Sequence, residues 1–299
     1  MITQNQTVLI TGCGGMLGEG VYKRFKDNAR VVATDIDLNE PWLSLLDVRD
    51  SVAVAAMLDE VKPDYIVHLA ALTDMEYCEK NPADAQATNV DSVNHFASYI
   101  EKNNTPFAYI CTAGIFDGEK DVYQEDDVAN PLSVYGKTKY GGELNAKKYP
   151  KHVVARAGWM MGGGPIKDKK FINKMIKQVQ GGAKELFVVD DKLGTPCYTY
   201  DLANILYTLL DQEHYGVFHG VCDGGGSRAD IARYLMKSLG RQDIKITEVS
   251  SDYFKSSYYA PRPASEKMIN KHLNDLGLKL TRDWHEAIDD YVHKFDWAV

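Results

Sequence analysis

The stretch Thr7-Val8-Leu9-Ile10-Thr11-Gly12-Cys13-Gly14-Gly15-Met16-Leu17-Gly18 decides the fold. Residues 7–10 form a short apolar run with the character of a buried strand, and residues 16–28 have the period of an amphipathic helix. Between them Gly12, Gly15 and Gly18 make a Gly-x-x-Gly-x-x-Gly turn. A turn without Cβ atoms lets backbone N–H groups and the positive helix end approach the oxygens of a pyrophosphate, and its last glycine lets helix and strand pack closely. The strand before and the helix after are the context such a motif requires. A dinucleotide cradle is therefore expected at Gly12, Gly15, Met16, Leu17 and Gly18.

Outward from the turn, the pattern repeats. Further strands are expected at 30–33, 65–69, 107–111 and 153–157, with helices at 51–61, 89–103 and 134–148. Alternation of apolar strands with helices implies a parallel sheet covered on both faces, its crossovers right-handed. After Trp159 the rhythm changes. Gly162-Gly163-Gly164-Pro165 reads as a turn or hinge, followed by a helix at 171–180, a strand at 185–189 and a helix at 199–211 returning to the first domain. Gly224-Gly225-Gly226-Ser227 is a second glycine loop, with Ser227 placed to cap a helix at 228–239. The tail, 283–297, is amphipathic. The expected fold is α/β, a doubly wound parallel sheet of the Rossmann kind with a smaller, interleaved C-terminal α/β lobe. Residues 1–160 and about 190–222 would bind the dinucleotide, and about 161–189 with 223–299 the substrate.

Composition excludes several functions. Asp and Glu number 42 against 34 Lys and Arg, a net charge of −8, which argues against non-specific nucleic-acid binding. No run approaches the roughly 18 apolar residues of a membrane span, and the N-terminus has no secretory pattern. Cys13, Cys78, Cys111, Cys197 and Cys222 are scattered, with no Cys-x-x-Cys pair, which suits reduced thiols in a cytoplasmic enzyme. No metal-binding cluster is evident.

Asp35 ends the second strand, about twenty residues beyond the glycines, where a carboxylate accepts hydrogen bonds from adenosine ribose hydroxyls and repels a 2′-phosphate. NAD(H) is the expected cofactor, with NADP(H) allowed. Asp47 and Val48 lie where a loop would touch the adenine. After the third strand, Leu69, Ala70 and Ala71 are small enough to pass beneath the cofactor, while His68 before them reads as a core histidine. Asn89, on the next helix, is a candidate to steady backbone or water near the site.

The chemistry is carried by Tyr135-Gly136-Lys137-Thr138-Lys139. Four residues are about one helical turn, so Tyr135 and Lys139 share a face. Carbonyl reduction needs a hydride at carbon and a proton at oxygen. A phenol of ordinary pKa about 10 is a reluctant acid-base group, and a nearby ammonium eases its ionisation. Lys139 would also hold the nicotinamide ribose, which adds both residues to the cofactor site. Thr112 follows the fourth strand, where open parallel sheets place their ligands, and its hydroxyl would steady the substrate oxygen.

With these motifs in order, the chain resembles the extended short-chain dehydrogenase/reductases, most closely the dTDP-4-dehydrorhamnose reductases. The resemblance runs from Gly12–Gly18 through His68 to Ala71 with Thr73-Asp74, and Thr112 with Phe116-Asp117-Gly118. It continues through Glu125, Pro131, Tyr135 to Lys139, Gly142-Glu143 and Arg156-Ala157-Gly158-Trp159. The run from Val188 to Pro196, Asp201-Leu202-Ala203 and Arg262-Pro263-Ala264-Ser265 complete it. It implies NAD(P)H-dependent reduction of the 4-keto group of a nucleotide-activated 6-deoxy sugar, dTDP-4-dehydrorhamnose to dTDP-L-rhamnose, in cell-surface polysaccharide biosynthesis. Thr112, Tyr135 and Lys139 would then be catalytic, and Thr73, Ala113, Trp159 and Arg262 would bind substrate, Arg262 at the diphosphate and Trp159 at the sugar. Arginine suits a diphosphate because its planar fork donates paired hydrogen bonds.

Two departures bear on the sugar. The family's usual Asp-Tyr after the catalytic threonine is Ala113-Gly114 here, and its Arg-Thr-Ser-Trp is Arg156-Ala157-Gly158-Trp159. Both remove polar groups near the expected sugar pocket. The competing readings are a sugar-nucleotide epimerase or dehydratase on the same fold and a non-catalytic cofactor-binding regulatory subunit. A dehydratase would carry an acidic pair after Thr112, an epimerase would keep its cofactor through the cycle, and a pure binder would not need all three of Thr112, Tyr135 and Lys139. A homodimer and an interface metal are left open.

Overall fold

A computed structural model describes residues 1–298. Seven parallel strands form the central sheet: β1 (Thr7–Thr11), β2 (Arg30–Asp35), β3 (Leu43–Leu45), β4 (Tyr65–His68), β5 (Phe107–Thr112), β6 (His152–Ala157) and β7 (Gly216–His219). Their order is β7-β6-β5-β4-β1-β2-β3. The chain reverses direction across the sheet at β1, which pairs with β2 on one side and β4 on the other. That switch point leaves a crevice at the C-terminal ends of the strands. The seven principal helices are α1 (Gly18–Lys26), α2 (Ser51–Val61), α3 (Val134–Ala146), α4 (Phe171–Gln180), α5 (Thr199–Asp211), α6 (Arg228–Ser238) and α7 (Trp284–Lys294).

Four of the five inner strands are buried on both faces, so their sequences are unbroken apolar runs: Val8-Leu9-Ile10, Ile66-Val67, Phe107-Ala108-Tyr109 and Val153-Val154-Ala155; β2 is buried only in part. β3 and β7 were not expected. Each is a short edge strand, and β3 is half-buried to exposed, so neither shows a buried run. Against α1, Gly20 gives α5 room: a Cβ there would lie 3.2 Å from the Thr199 carbonyl oxygen.

The helix expected at 89–103 is broken. Residues Ala87–Asp91 form a π-helical turn, Ser92–Asn94 a short α-turn, and the helix resumes at Ala97–Asn103. Widened turns of this kind gather at functional sites. Here the turn carries Asn89, whose Oδ1 accepts the Leu72 N–H at 2.8 Å, while Nδ2 donates to the Leu72 carbonyl and to Thr138 Oγ1, both at 3.1 Å. Asn89 thus ties the loop after β4 to α3.

A second apolar core includes Met161, Ile176, Leu186, Leu235, Ile288 and Tyr291. It lies among α4, α6, α7 and a two-stranded parallel sheet of Glu185–Val189 and Lys245–Val249. Helix α6 begins with a full capping box, Ser227 and Asp230 satisfying each other's backbone N–H groups. Two small sheets join the lobes: Trp159–Met161 with Pro196–Tyr198, and Leu193–Gly194 between Gly226–Ser227 and Ser265–Glu266. At the expected hinge, Gly162, Gly163 and Gly164 have φ of +147°, +78° and +65°, conformations that side chains disfavour. Among the described residues no helix is long and apolar enough to cross a membrane.

Candidate active site

The glycine turn sits at the sheet's switch point. Gly12 has φ +69°, and a Cβ there would lie 2.3 Å from the Ala70 nitrogen, so the segment after β4 passes directly beneath the turn. A Cβ on Gly18 would lie 1.8 Å from the Cys13 carbonyl oxygen, which is why α1 can start so close to β1. Gly15 is exposed, and the only atom near a Cβ built there is the Gly12 oxygen at 3.5 Å, leaving a backbone cradle open above it. Leu17 is buried and Met16 half-buried. Asp35 stands at the rim, its Oδ2 accepting the Gly14 N–H at 2.8 Å and its Oδ1 the Asp37 N–H at 3.0 Å. A bare backbone cradle flanked by a fixed carboxylate fits the pyrophosphate and ribose of a dinucleotide. Burial pushes the Cys13 thiol up to about 12, with Asp35 adding to the effect and Lys167 opposing it, so this cysteine is inert.

Thr112 ends β5, and its Oγ1 accepts the Gly114 N–H at 3.1 Å. Opposite it, α3 starts with Ser133 Oγ accepting the Gly136 N–H at 3.0 Å and Glu79 Oε1 accepting the Val134 N–H at 2.7 Å. Gly136 brings the two elements together, because a Cβ there would lie 2.3 Å from the Gly114 oxygen. The Tyr135 phenol consequently comes within hydrogen-bonding reach of the Thr112 hydroxyl. Burial raises the phenol's pKa above its ordinary value, the neighbouring Thr112 hydroxyl pulls it back, and Cys111 and Glu266 add to the rise. One turn along, Lys139 is 2 % exposed, its Nζ 4.2 Å from the centroid of the Tyr109 ring. Burial lowers its pKa to about 8 against the opposing pull of Cys111 and Glu143.

Helix α3 is anchored from behind. A Cβ on Gly142 would lie 2.1 Å from the Asn89 oxygen and 2.2 Å from the Tyr109 hydroxyl, so the helix packs on bare backbone. The fully buried Glu143 carboxylate takes both arms of Arg156, at 2.6 and 3.0 Å. Arg156 Nη1 also donates to the Glu125 carbonyl at 2.9 Å. Glu125 in turn accepts the His219 and Lys271 N–H groups at 2.9 and 3.2 Å.

The remaining expected residues are distributed unevenly. Leu69 donates its N–H to the Thr11 oxygen at 2.9 Å, which holds Ala70 and Ala71 against the turn. His68 is a core histidine between Thr11 and Ser92, and burial lowers its pKa to about 3. Asp47 is paired with Arg49, and the Val48 side chain is in the core with its carbonyl taken by His95 at 2.9 Å. Ala113 also points into the core; a Cβ built on Gly114, not the Ala113 side chain, would face Thr112 Oγ1, at 3.5 Å. Thr73 receives Lys170 Nζ from the second lobe, at 3.3 Å to its carbonyl and 3.4 Å to its hydroxyl. Trp159 lies between the lobes, with Gly194 against its ring and the Arg228 guanidinium 3.5 Å from its centroid. Arg262 pairs with Glu76 at 2.8 Å, and Tyr259 donates to the Glu76 carbonyl at 2.9 Å, so this segment bridges the two lobes.

Four residues at this crevice were not expected from the sequence. Arg228 and Lys170 bring positive charge, and burial lowers the pKa of both, Arg228 to about 10. Glu266 accepts the Trp159 indole N–H at 2.7 Å. Lys167 stands beside the glycine turn, paired with Glu40 at 2.7 Å. Each reaches the crevice from a distant segment of chain, so no local spacing signals it.

Comparison with known proteins follows the same outline. Residues 6–297 match the family model of the RmlD substrate binding domain. The dTDP-4-dehydrorhamnose reductase of Aggregatibacter actinomycetemcomitans is 32% identical over 94% of this chain and 96% of its own. The dTDP-4-keto-6-deoxy-D-glucose reductase of Streptomyces niveus is 30% identical over 94% of both. A solved dTDP-4-dehydrorhamnose reductase from Clostridium acetobutylicum superposes with a TM-score of 0.88, is 32% identical, and covers 96% of this chain and 99% of its own.

Proposed function

The chain belongs to the family of the RmlD substrate binding domain, which its dTDP-4-dehydrorhamnose reductase relatives exemplify, and from that premise we propose that it is an NAD(P)H-dependent oxidoreductase acting on a nucleotide-activated 4-keto-6-deoxy sugar. The most economical substrate is dTDP-4-dehydrorhamnose, giving dTDP-L-rhamnose. The observation that carries this reading is Thr112 at the end of β5 beside Tyr135, with Lys139 buried one turn further along α3, at the switch-point crevice that holds the glycine cradle.

When bound, NAD(P)H supplies the hydride. Gly12, Gly15 and Gly18 would cradle its pyrophosphate and Asp35 its adenosine ribose, which favours NADH, while Lys167, paired with Glu40, would supply a cation for the 2′-phosphate of NADPH. Thr112 donates a hydrogen bond to the substrate oxygen, and Tyr135 gives that oxygen its proton as the alkoxide forms. Proton donation leaves a phenolate, which burial disfavours; the Lys139 ammonium, one turn along the same helical face, would lower that cost. In the second lobe, Arg228, Arg262 and Lys170 would take the diphosphate, and Trp159 would pack against the sugar. The five free, buried cysteines suit a reducing compartment, and we place the enzyme in the cytoplasm.

The test is NADH and NADPH oxidation against dTDP-, UDP-, GDP- and CDP-linked 4-keto-6-deoxy sugars, with product identification. Stoichiometric oxidation with a dTDP-linked substrate, abolished in Tyr135→Phe while cofactor affinity persists, is the expected result. Conversion without net oxidation would assign an epimerase instead, and no conversion of any member would reject the reading.

A further inference from the structure

We infer that Glu266 is a specificity-determining residue, whose carboxylate requires a hydrogen-bond donor on the ring carbon next to the carbonyl being reduced. The inference rests on the reduction proposed above. Glu266 belongs to the small sheet joining the lobes, where Ser265–Glu266 pairs with Leu193–Gly194. This fixes its backbone and aims the side chain across the crevice toward β5.

Its two oxygens have different surroundings. Oε2 accepts the Trp159 indole N–H at 2.7 Å. Oε1 faces Gly114: a Cβ built on that glycine would lie 3.6 Å from Oε1 and 3.5 Å from Thr112 Oγ1. Glu266 Oε1 and Thr112 Oγ1 therefore flank the same spot, where the missing side chain of residue 114 leaves room. The charge of Glu266 is also felt at the Tyr135 phenol and at Arg228. A carbonyl held by Thr112 and Tyr135 places its neighbouring ring carbon in the space that Oε1 faces. A carboxylate oxygen only accepts hydrogen bonds, so a hydroxyl or ammonium there is favoured, whereas a methylene leaves the oxygen desolvated without a partner. Trp159 keeps the carboxylate aimed, since its N–H occupies the other oxygen.

The experiment compares dTDP-6-deoxyhexoses bearing a 3-hydroxyl, a 3-amino group or no substituent at that carbon. Dissociation constants are measured calorimetrically with the NAD(P)H-loaded enzyme, alongside kcat/KM for the matching 4-keto sugars. Wild-type enzyme is expected to favour a donor-bearing ligand over the 3-deoxy ligand by about 10- to 100-fold. The relative affinities of the hydroxyl and amino ligands identify which donor the site was built for. The decisive variant is Glu266→Gln. Trp159 requires an acceptor, so it holds the amide oxygen and turns the amide NH2 toward Gly114, replacing acceptor by donor at the same size. The preference for the ammonium ligand, which has donors only, is expected to fall at least about 10-fold, whereas a hydroxyl can turn and accept from the amide. A role confined to holding Trp159 would survive this change. Equal wild-type affinity for donor-bearing and 3-deoxy ligands, or an unchanged ammonium-to-3-deoxy ratio in Glu266→Gln, would overturn the inference. Ligand binding with the expected ratios but no cofactor oxidation would instead reject the reductase reading and leave the assignment of Glu266 standing.

Discussion

Replacing Lys139 by Met should stabilise the cofactor-free protein near neutral pH while removing its activity. Lys139 is 2 % exposed, and burial lowers its pKa from 10.5 to about 8. That drop corresponds to about 3 kcal/mol of penalty on the folded state whenever the ammonium is charged. Met keeps the length of the side chain, removes the charge, and forfeits the attraction to the Tyr109 ring, about 1 kcal/mol. The net expectation is a gain of about 2 kcal/mol near pH 7. Its pH dependence follows from the sign of the shift. The folded pKa lies below the unfolded one, so the penalty is complete below about pH 8, fades between about 8 and 10.5, and vanishes once both states are neutral. Urea denaturation of wild type and Lys139→Met across that range reads the difference directly. A variant less stable than wild type at pH 7, or an advantage unchanged up to about pH 10, would refute the argument that this lysine is held at the site against its solvation.

Three further outcomes are expected. Asp35→Ala should lower the ratio of kcat/KM for NADH over NADPH by about 10-fold, because a ribose acceptor and a source of repulsion to a 2′-phosphate go together; steady-state kinetics with both cofactors checks this. Gly18→Ala should cost more than about 2 kcal/mol in urea and weaken dinucleotide binding, since its Cβ would fall 1.8 Å from the Cys13 oxygen and force α1 off β1. Glu143→Gln should cost about 3–5 kcal/mol by leaving the Arg156 guanidinium buried without its carboxylate, and the loss should appear in the urea midpoint.

The parts of this molecule that could be read from sequence are those encoded by local pattern. The glycine turn, the five inner strands and the Tyr135–Lys139 helix each carry a period or a spacing that has one physical solution. Ser51–Val61, Phe171–Gln180, Glu185–Val189 and Thr199–Asp211 occupy the residues expected of them. β3 and β7 escaped because an edge strand has no need of a run buried on both faces. The break at Ala87–Asp91 escaped because it is imposed by partners far along the chain, Leu72 and Thr138. The same holds at the crevice. Glu266, Arg228, Lys170 and Lys167 enter it from the second lobe, and only the folded arrangement shows what they face. Ala113 and Val48 illustrate the reverse case: their backbones run beside the crevice while their side chains belong to the core.

The claim on which the account turns is that Thr112, Tyr135 and Lys139 present a sugar carbonyl to a hydride donor lying in the glycine cradle. Single turnover with cofactor deuterated at the transferring position of its nicotinamide, followed by NMR of the sugar product, measures this without further assumption. Deuterium at C4 of the product, and none transferred by Tyr135→Phe, is the predicted result. Deuterium retained by the cofactor, or transfer undiminished in Tyr135→Phe, would contradict it.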